Sequence, residues 1–227
     1  MSELIKVLDH GHIRLVDSMG SDLSIVRSAR VSYDAAARAG DDEGSDSRLI
    51  RYLLMNGHST PFESVTATFQ IKAPIFVFRQ WHRHRTQSFN ELSARYRELP
   101  EEFYIPDIKN VGVQSAHNKQ MRDMTEANDD MPVLLQLMRE NNEASFGVYR
   151  DLLANGMPRE LARSVLPVGT YSEMFATANL FNWMRFMKER LHEHAQYEIR
   201  VYAQAIFDLL SEQVPIAMKA FAEKYKL

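Results

Sequence analysis

Cysteine is absent from the 227-residue chain. Disulfides, zinc–thiolate centres and cysteine nucleophiles are thereby excluded, so any chemistry rests on another nucleophile, a cofactor or electrostatics. Neither G-x-G-x-x-G nor a P-loop occurs, and a dinucleotide would not be held in the Rossmann manner. No G-x-S-x-G surrounds Ser88 or Ser93, which argues against a serine hydrolase. No H-E-x-x-H is present either. His192, His194 and Glu198 form the one conceivable metal set, but residues two apart on a helix face different ways. The expectation is no metal, with His194 and Glu198 as a one-turn pair. No run of about 18 apolar residues could span a membrane. The opening MSELIKVLDHGHIRLV lacks a basic region followed by an apolar one, so no secretory signal is expected and the chain reads as cytoplasmic.

The composition that remains is that of an ordinary globular protein, 45% hydrophobic and 25% charged, with a net charge of -3. One domain over residues 1–227 with a real core is expected. Against this acidic balance stands RQWHRHRTQSFNELSARYR, residues 79–97. It carries Arg79, Arg83, Arg85, Arg95 and Arg97 beside His82 and His84, with Glu91 as its only acid and no lysine. Arginine offers a planar fork of donors that matches phosphate and carboxylate. Trp81, Phe89 and Tyr96 are interleaved with short polar groups. Three readings follow: a solvated basic face, an arginine-rich module for single-stranded RNA, or a small-molecule nucleotide site. The acidic whole favours the last, because backbone binders are usually basic.

Along the chain, LIKVL and HIRLV read as short strands around a turn at Asp9-His10-Gly11. Ser21 or Asp22 caps a helix through SIVRSARVS. Residues 34–47 read as a mobile loop before a helix in SRLIRYLLMNG. VTATFQI reads as a strand stopping at Lys72-Ala73. Pro74 then opens a helix, PIFVFRQWHRHR, which places Gln80, Arg83 and Gln87 on one stripe. SFNELSARYREL reads as loop and strand, 115–155 as mostly helical with a fresh start at Met131-Pro132, and PRELARSVLP as a helix. SEMFATANL reads as a strand, with long helices to the end, broken at Pro215. In the C-terminal helix, Arg190 and His194 interrupt an apolar stripe of Trp183, Met187, Tyr197 and Val201. A buried guanidinium needs a partner. A structural salt bridge and a bound ligand both satisfy that need.

RHRTQSFNE, residues 83–91, with Ser93 and Arg95 beyond it, resembles the R-H-R-x-x-S-x-N-E signature of the flavin-dependent thymidylate synthases. RVSYD around 31–34, GHSTPFE (57–63), APIFVFRQW (73–81), PRELARSVLP (158–167) and NLFNWMRFMKERLHEHAQYEIR (179–200) extend the resemblance. It implies an α+β fold, an antiparallel or mixed sheet flanked by long helices in a single compact domain per subunit. It implies methylation of dUMP to dTMP with methylenetetrahydrofolate as carbon donor, NADPH as reductant and FAD as hydride carrier. It also implies a homotetramer with shared active sites and no nucleic-acid partner. Gln80, Arg83, Glu91, Ser93, Arg95, Arg163 and Arg190 would contact dUMP, with Arg190 catalytic at the pyrimidine. Ser32, His58, Thr60, Glu63, Arg83, His84, Arg85, Glu91 and Asn179 would meet the flavin. Phe181 stands where relatives often carry arginine, and Arg185 where a smaller polar residue or histidine is usual. Arg185 is the residue placed to replace a flavin contact there.

Overall fold

The opening runs fold as an antiparallel hairpin, β1 (Ile5–Val7) and β2 (Gly11–Met19). The computed structural model describes residues 3–124 and 128–227. Helix α1 (Asp22–Arg30) starts at Ser21, which forms a reciprocal capping box with Ser24. Residues 34–47, expected to be a mobile loop, are instead tied down. Arg30 reaches back to Asp46 at 2.6 Å, and Asp46 accepts the Gly40 N–H at 2.7 Å. Helix α2 (Glu43–Met55) therefore begins earlier than its apolar residues indicate, capped by Asp42, which accepts the Ser45 N–H at 3.0 Å.

Strand β3 (Thr66–Pro74) runs through Lys72-Ala73 to include Pro74, which faces Tyr171 in the ladder, so the proline ends the strand and precedes the helix. Helix α3 (Ile75–Trp81) is shorter than expected. The chain leaves it because Gln87 turns inward, its Oε1 accepting the buried Trp81 Nε1–H at 3.0 Å. Gln80, Arg83 and Gln87 thus share no helical stripe. The chain returns as β4 (Ser88–Glu91). Residues 115–124 are not helical; a small hairpin, β5 (Val113–Gln114) with β6 (Arg122–Asp123), occupies this stretch. Residues 125–127 of the expected helical region lie outside the described residues. Helix α4 (Met131–Ala154) does begin at Met131-Pro132. Helix α5 (Arg159–Ala162) passes into a 3₁₀ turn at Arg163–Val165.

Strand β7 (Tyr171–Asn179) lies between β3 and β4, completing a five-stranded sheet in the order β1-β2-β3-β7-β4 with every pairing antiparallel. The fold is α+β, and its sheet is antiparallel rather than mixed. Helices α6 (Leu180–Arg190), α7 (Tyr197–Gln213) and α8 (Pro215–Tyr225) supply much of the apolar layer against one face. The chain breaks between α6 and α7 as well as at Pro215. There His192 Nδ1 accepts the His194 N–H at 3.2 Å, in place of a helical carbonyl. The expected continuous stripe therefore ends at Arg190, and His194 is exposed.

Alternate residues of β3, among them Phe69 and Ile71, are fully buried with Trp81, Trp183, Phe186 and Tyr202. Two of these aromatics also fix the helices to the sheet by hydrogen bonds to backbone carbonyls, Trp183 Nε1 to Ala67 at 3.1 Å and Tyr202 Oη to Lys72 at 2.6 Å. A second cluster of Phe103, Phe146, Tyr149 and Ala162 seats α5 and with it Arg163. Among the described residues no helix is long and apolar enough to cross a membrane.

Candidate active site

Helix α3 is the hinge of the site, because different sets of polar groups gather on its different sides. On one side is a cleft of about 640 Å³, whose lining includes Arg79, His82, Glu91, Ser93, Glu160 and Arg163. Its wall is fixed where the first α3 amides reach the loop that leads into β7, Ile75 N–H to the Thr170 carbonyl and Phe76 N–H to that of Val168, each at 3.0 Å. Glu91 stands at the end of β4 and its Oε1 accepts the Ser172 hydroxyl at 2.8 Å. Ser93 opens the next turn, its Oγ accepting the Arg95 N–H at 3.3 Å. Arg95 meets Glu160 at 3.3 Å across the rim. Arg163 donates Nε to the Glu160 carbonyl at 3.4 Å and has no carboxylate partner among the described residues. The cleft thus brings Glu91, Ser93 and Arg163 together, with Arg95 beside them. Arg79 and His82 join it, and neither was among the expected contacts. The one sequence signal for them was their place in the arginine-rich stretch.

Gln80 and Arg190 do not line this cleft. Half-buried Arg190, at the end of α6, donates Nε to His84 Nε2 at 2.9 Å and Nη2 to the Gln80 carbonyl at 3.1 Å. Among the described residues it forms no ion pair. The guanidinium is therefore held by two neutral acceptors rather than by the carboxylate that a structural salt bridge requires. Burial lowers its pKa, Glu189 opposing and Arg83 adding to the effect. Accepting from Arg190 places the His84 proton on Nδ1. Burial first, and then the positive charge of Arg190, press the His84 pKa down to about 4, with Glu189 opposing and Arg185 contributing. His84 is therefore a neutral acceptor near neutral pH.

The expected flavin residues are only partly assembled. His58 lines a cavity of about 260 Å³ with Ser59, Phe181, Arg185, Lys188 and Lys224. Thr60 and Glu63 lie on the adjoining 3₁₀ turn, Thr60–Ser64. Asn179 caps α6 through the Asn182 N–H at 2.9 Å and also meets Glu63 at 3.5 Å. Ser32 is exposed on a separate 3₁₀ turn, and Arg83 and Arg85 are exposed outside this cavity. Three cations with the Tyr225 ring beside them, Lys188 lying 5.4 Å over it, suit an anionic diphosphate and a flat heterocycle. Arg185 does reach this cavity, whereas Lys188 and Lys224 were not anticipated. Phe181 lines the same wall as an apolar surface.

The metal reading of His192, His194 and Glu198 dissolves for a separate reason. Glu198 is turned inward to Arg122, and His194 pairs weakly with Glu193 at 3.5 Å, so the expected His194–Glu198 pair does not form. Among the described residues no three His, Cys, Asp or Glu side chains converge as ligands.

Comparison with known proteins bears on this arrangement. Residues 14–216 match the family model described as thymidylate synthase complementing protein. The flavin-dependent thymidylate synthase of Thermus thermophilus is 45% identical over 219 residues, covering 96% of this chain and 78% of that protein. The protein of the same name from Treponema denticola is 44% identical over 228 residues, covering 100% of this chain and 84% of its own. A crystal structure of a UMP/dUMP methylase, PolB from Streptomyces cacaoi, bound with 5-Br dUMP, is 38% identical. It superposes with a TM-score of 0.85, over 96% of this chain and 97% of that one. A second structure of that methylase, bound with 5-Br UMP, gives 36% identity and a TM-score of 0.86 over 98% of each chain.

Proposed function

The chain belongs to the thymidylate synthase complementing protein family, and from that premise we propose how its residues divide the family's reaction. It is a flavin-dependent thymidylate synthase, a methyltransferase that converts dUMP to dTMP. The absence of cysteine agrees with this, since no thiol is available to add to the pyrimidine. Single-stranded RNA binding, the other reading of the arginine-rich stretch, finds no support in the family match.

At the finer level, the flavin is FAD, methylenetetrahydrofolate supplies the carbon and NADPH the reducing equivalents. When bound, the flavin supplies the hydride chemistry that the side chains lack. His58, Arg185, Lys188 and Lys224 receive its diphosphate end, with Ser32, Thr60, Glu63, Arg83, His84, Arg85, Glu91 and Asn179 completing its surroundings. Arg95, Arg163 and Ser93 take the dUMP phosphate, while Glu91, Gln80 and Arg83 place the nucleoside. Arg190 faces the pyrimidine. Loss of the N3 proton pushes electron density towards carbon 5 and leaves an anion. A guanidinium already fixed in a half-buried position stabilises that anion without reorganising.

The observation that carries this reading is Arg190, a half-buried cation held, among the described residues, by two neutral acceptors, His84 Nε2 and the Gln80 carbonyl. The proposed phosphate cleft and the Arg190 group lie on different sides of α3, and Arg83 and Arg85 are exposed with no ion pair among the described residues. Both facts support a site completed by other subunits of a homotetramer. The family match over 14–216 supports one catalytic domain over 1–227, and the nucleotide substrates fit a cytoplasmic enzyme. The test is the visible spectrum of the purified protein, followed by conversion of dUMP with folate and NADPH supplied. Flavin absorbance and dTMP are expected. A colourless protein, inactive with added FAD, contradicts the reading.

A further inference from the structure

Behind Gln80 lies a buried network that the proposed reaction does not yet use. Glu198, in the first turn of α7, is 2% exposed. Its Oε1 accepts the Tyr104 hydroxyl at 3.0 Å, and its Oε2 accepts from Arg122 and, at 2.8 Å, from Gln196 Nε2. Burial pushes the Glu198 pKa up, but the hydrogen bonds and charge of Arg122, with the bond from Gln196, outweigh burial and hold it below its ordinary value. Glu198 is thus an ionised carboxylate, and an ionised carboxylate can only accept.

That restriction passes along the chain of amides. With Nε2 held by Glu198, Gln196 presents Oε1 to Gln80. Oε1 is an acceptor, so Gln80 must meet it with Nε2, and this hydrogen bond is present. The remaining polar atom of the Gln80 side chain, Oε1, receives no hydrogen bond from any described residue. The backbone carbonyl of the same residue holds Arg190. Gln80 therefore stands beside the catalytic guanidinium with its amide polarity decided by a carboxylate two hydrogen bonds away.

We propose that Glu198 and Gln196 form a polarity relay that presets Gln80 as a hydrogen-bond acceptor for a donor on the substrate nucleotide. This rests on the functional reading above and extends it. Glu198 and Gln196 are positioning residues, touching the substrate only through Gln80. The matching donor is an N–H or O–H group, supplied either by the imide N3 of uracil or by the sugar 3′-hydroxyl. A free glutamine could turn its amide to suit an acceptor at the same place. A preset one cannot, so the relay favours nucleotides that offer the donor.

The experiment compares binding to the flavin-loaded enzyme of dUMP, N3-methyl-dUMP, which lacks the imide donor, and 2′,3′-dideoxyuridine monophosphate, which lacks the 3′-hydroxyl. Each is measured with the unaltered chain, with Gln196→Met and with Glu198→Gln. Gln196→Met leaves Glu198 with Arg122 and Tyr104, and Glu198→Gln keeps the buried volume, so a folding failure in one leaves the other to decide. The relay predicts that dUMP affinity falls about fivefold in either variant, with flavin content unchanged. It also predicts that the penalty for losing one of the two donors shrinks by a similar factor in the variants. Shrinkage with the N-methyl analogue identifies the base as the source, and with the dideoxy analogue the sugar. A merely structural role would leave both penalties as they were, and that result overturns the relay while dUMP binding stands. If the unaltered enzyme binds no dUMP at all, the functional reading and the relay fall together.

Discussion

Two side chains show how the active-site electrostatics are set. His84 is neutral because it is buried against Arg190, and neutrality makes its Nε2 the acceptor that orients the guanidinium. With a folded pKa of about 4 against an ordinary 6.5, the unfolded chain binds the extra proton more readily. The contribution of His84 to stability is thus fully present above about pH 6.5 and is lost as pH falls towards 4. Replacing it with glutamine, which keeps an acceptor for Arg190 but cannot titrate, should flatten the fall in melting temperature across that window. An unchanged slope in His84→Gln would show that His84 is not the group responsible. Arg83 and Arg85 have no ion pair among the described residues. The double variant Arg83→Ala/Arg85→Ala should purify with little flavin, read from its visible absorbance. Full flavin content with normal activity would remove both from the flavin site.

At this scale, the chemistry was more legible in the sequence than the contacts. The stretch from Arg79 to Arg97 announces an anion site because arginine so concentrated in an acidic chain has few other uses. Arg190 is marked by its place on an apolar stripe. What spacing could not show is that both partners of Arg190 come from α3 and the turn after it. Those contacts depend on where α3 stops, and a side-chain bond between Trp81 and Gln87 decides that. Lys188 and Lys224 were invisible for a related reason. They reach the cavity at His58 only because α8 folds back beside α6.

Elements were read well where periodicity alone determines them. β2, β3, β7 and α4 fall close to their apolar patterns, and the start of α4 at Met131-Pro132 follows from proline at a first turn. Boundaries set by side-chain hydrogen bonds moved: the Asp42 cap lengthened α2, and His192 separated α6 from α7. One residue type at one position also holds the sheet against α7. At Gly11 a methyl group would lie 2.1 Å from the Tyr202 hydroxyl oxygen and 2.5 Å from the Val7 carbonyl oxygen. Gly11→Ala should therefore destabilise the fold by about 1–3 kcal/mol, the usual cost of forced overpacking, measured by denaturant unfolding. In a Tyr202→Phe background the same change should cost less, because the nearest of the three crowding oxygens is gone and only the Val7 and Lys72 carbonyls remain. Equal costs in both backgrounds would place the strain elsewhere.

Among the described residues, cations without an ion-pair partner stand on more than one face of a chain that is acidic overall. Arg163 lines the cleft on one side of α3, Arg190 sits across α3, and Arg185 lies in the cavity beside α8. Like charges gathered without counterions repel, and bound anions relieve them. dUMP and FAD should each raise the melting temperature, and more strongly at low salt, where screening is weak. Light scattering should give the mass of a tetramer; a stable monomer at working concentration would contradict a site completed by several subunits. Mixing two inactive variants, one altered at Arg163 and the other at Arg190, should restore some activity if their sites are shared and subunits exchange.

The central claim is that a preplaced guanidinium, rather than a nucleophile, activates the pyrimidine. The most direct test is dTMP formed per bound flavin, measured for the unaltered enzyme and for Arg190→Ala, each checked for flavin content and assembly. Loss of one preorganised donor costs roughly 10²–10³ in rate. The variant should fall by about that factor while keeping its flavin and its tetramer. Arg190→Lys should recover little, because the planar fork matters as well as the charge. Normal turnover per bound flavin in Arg190→Ala would contradict the account and leave Arg190 a structural residue.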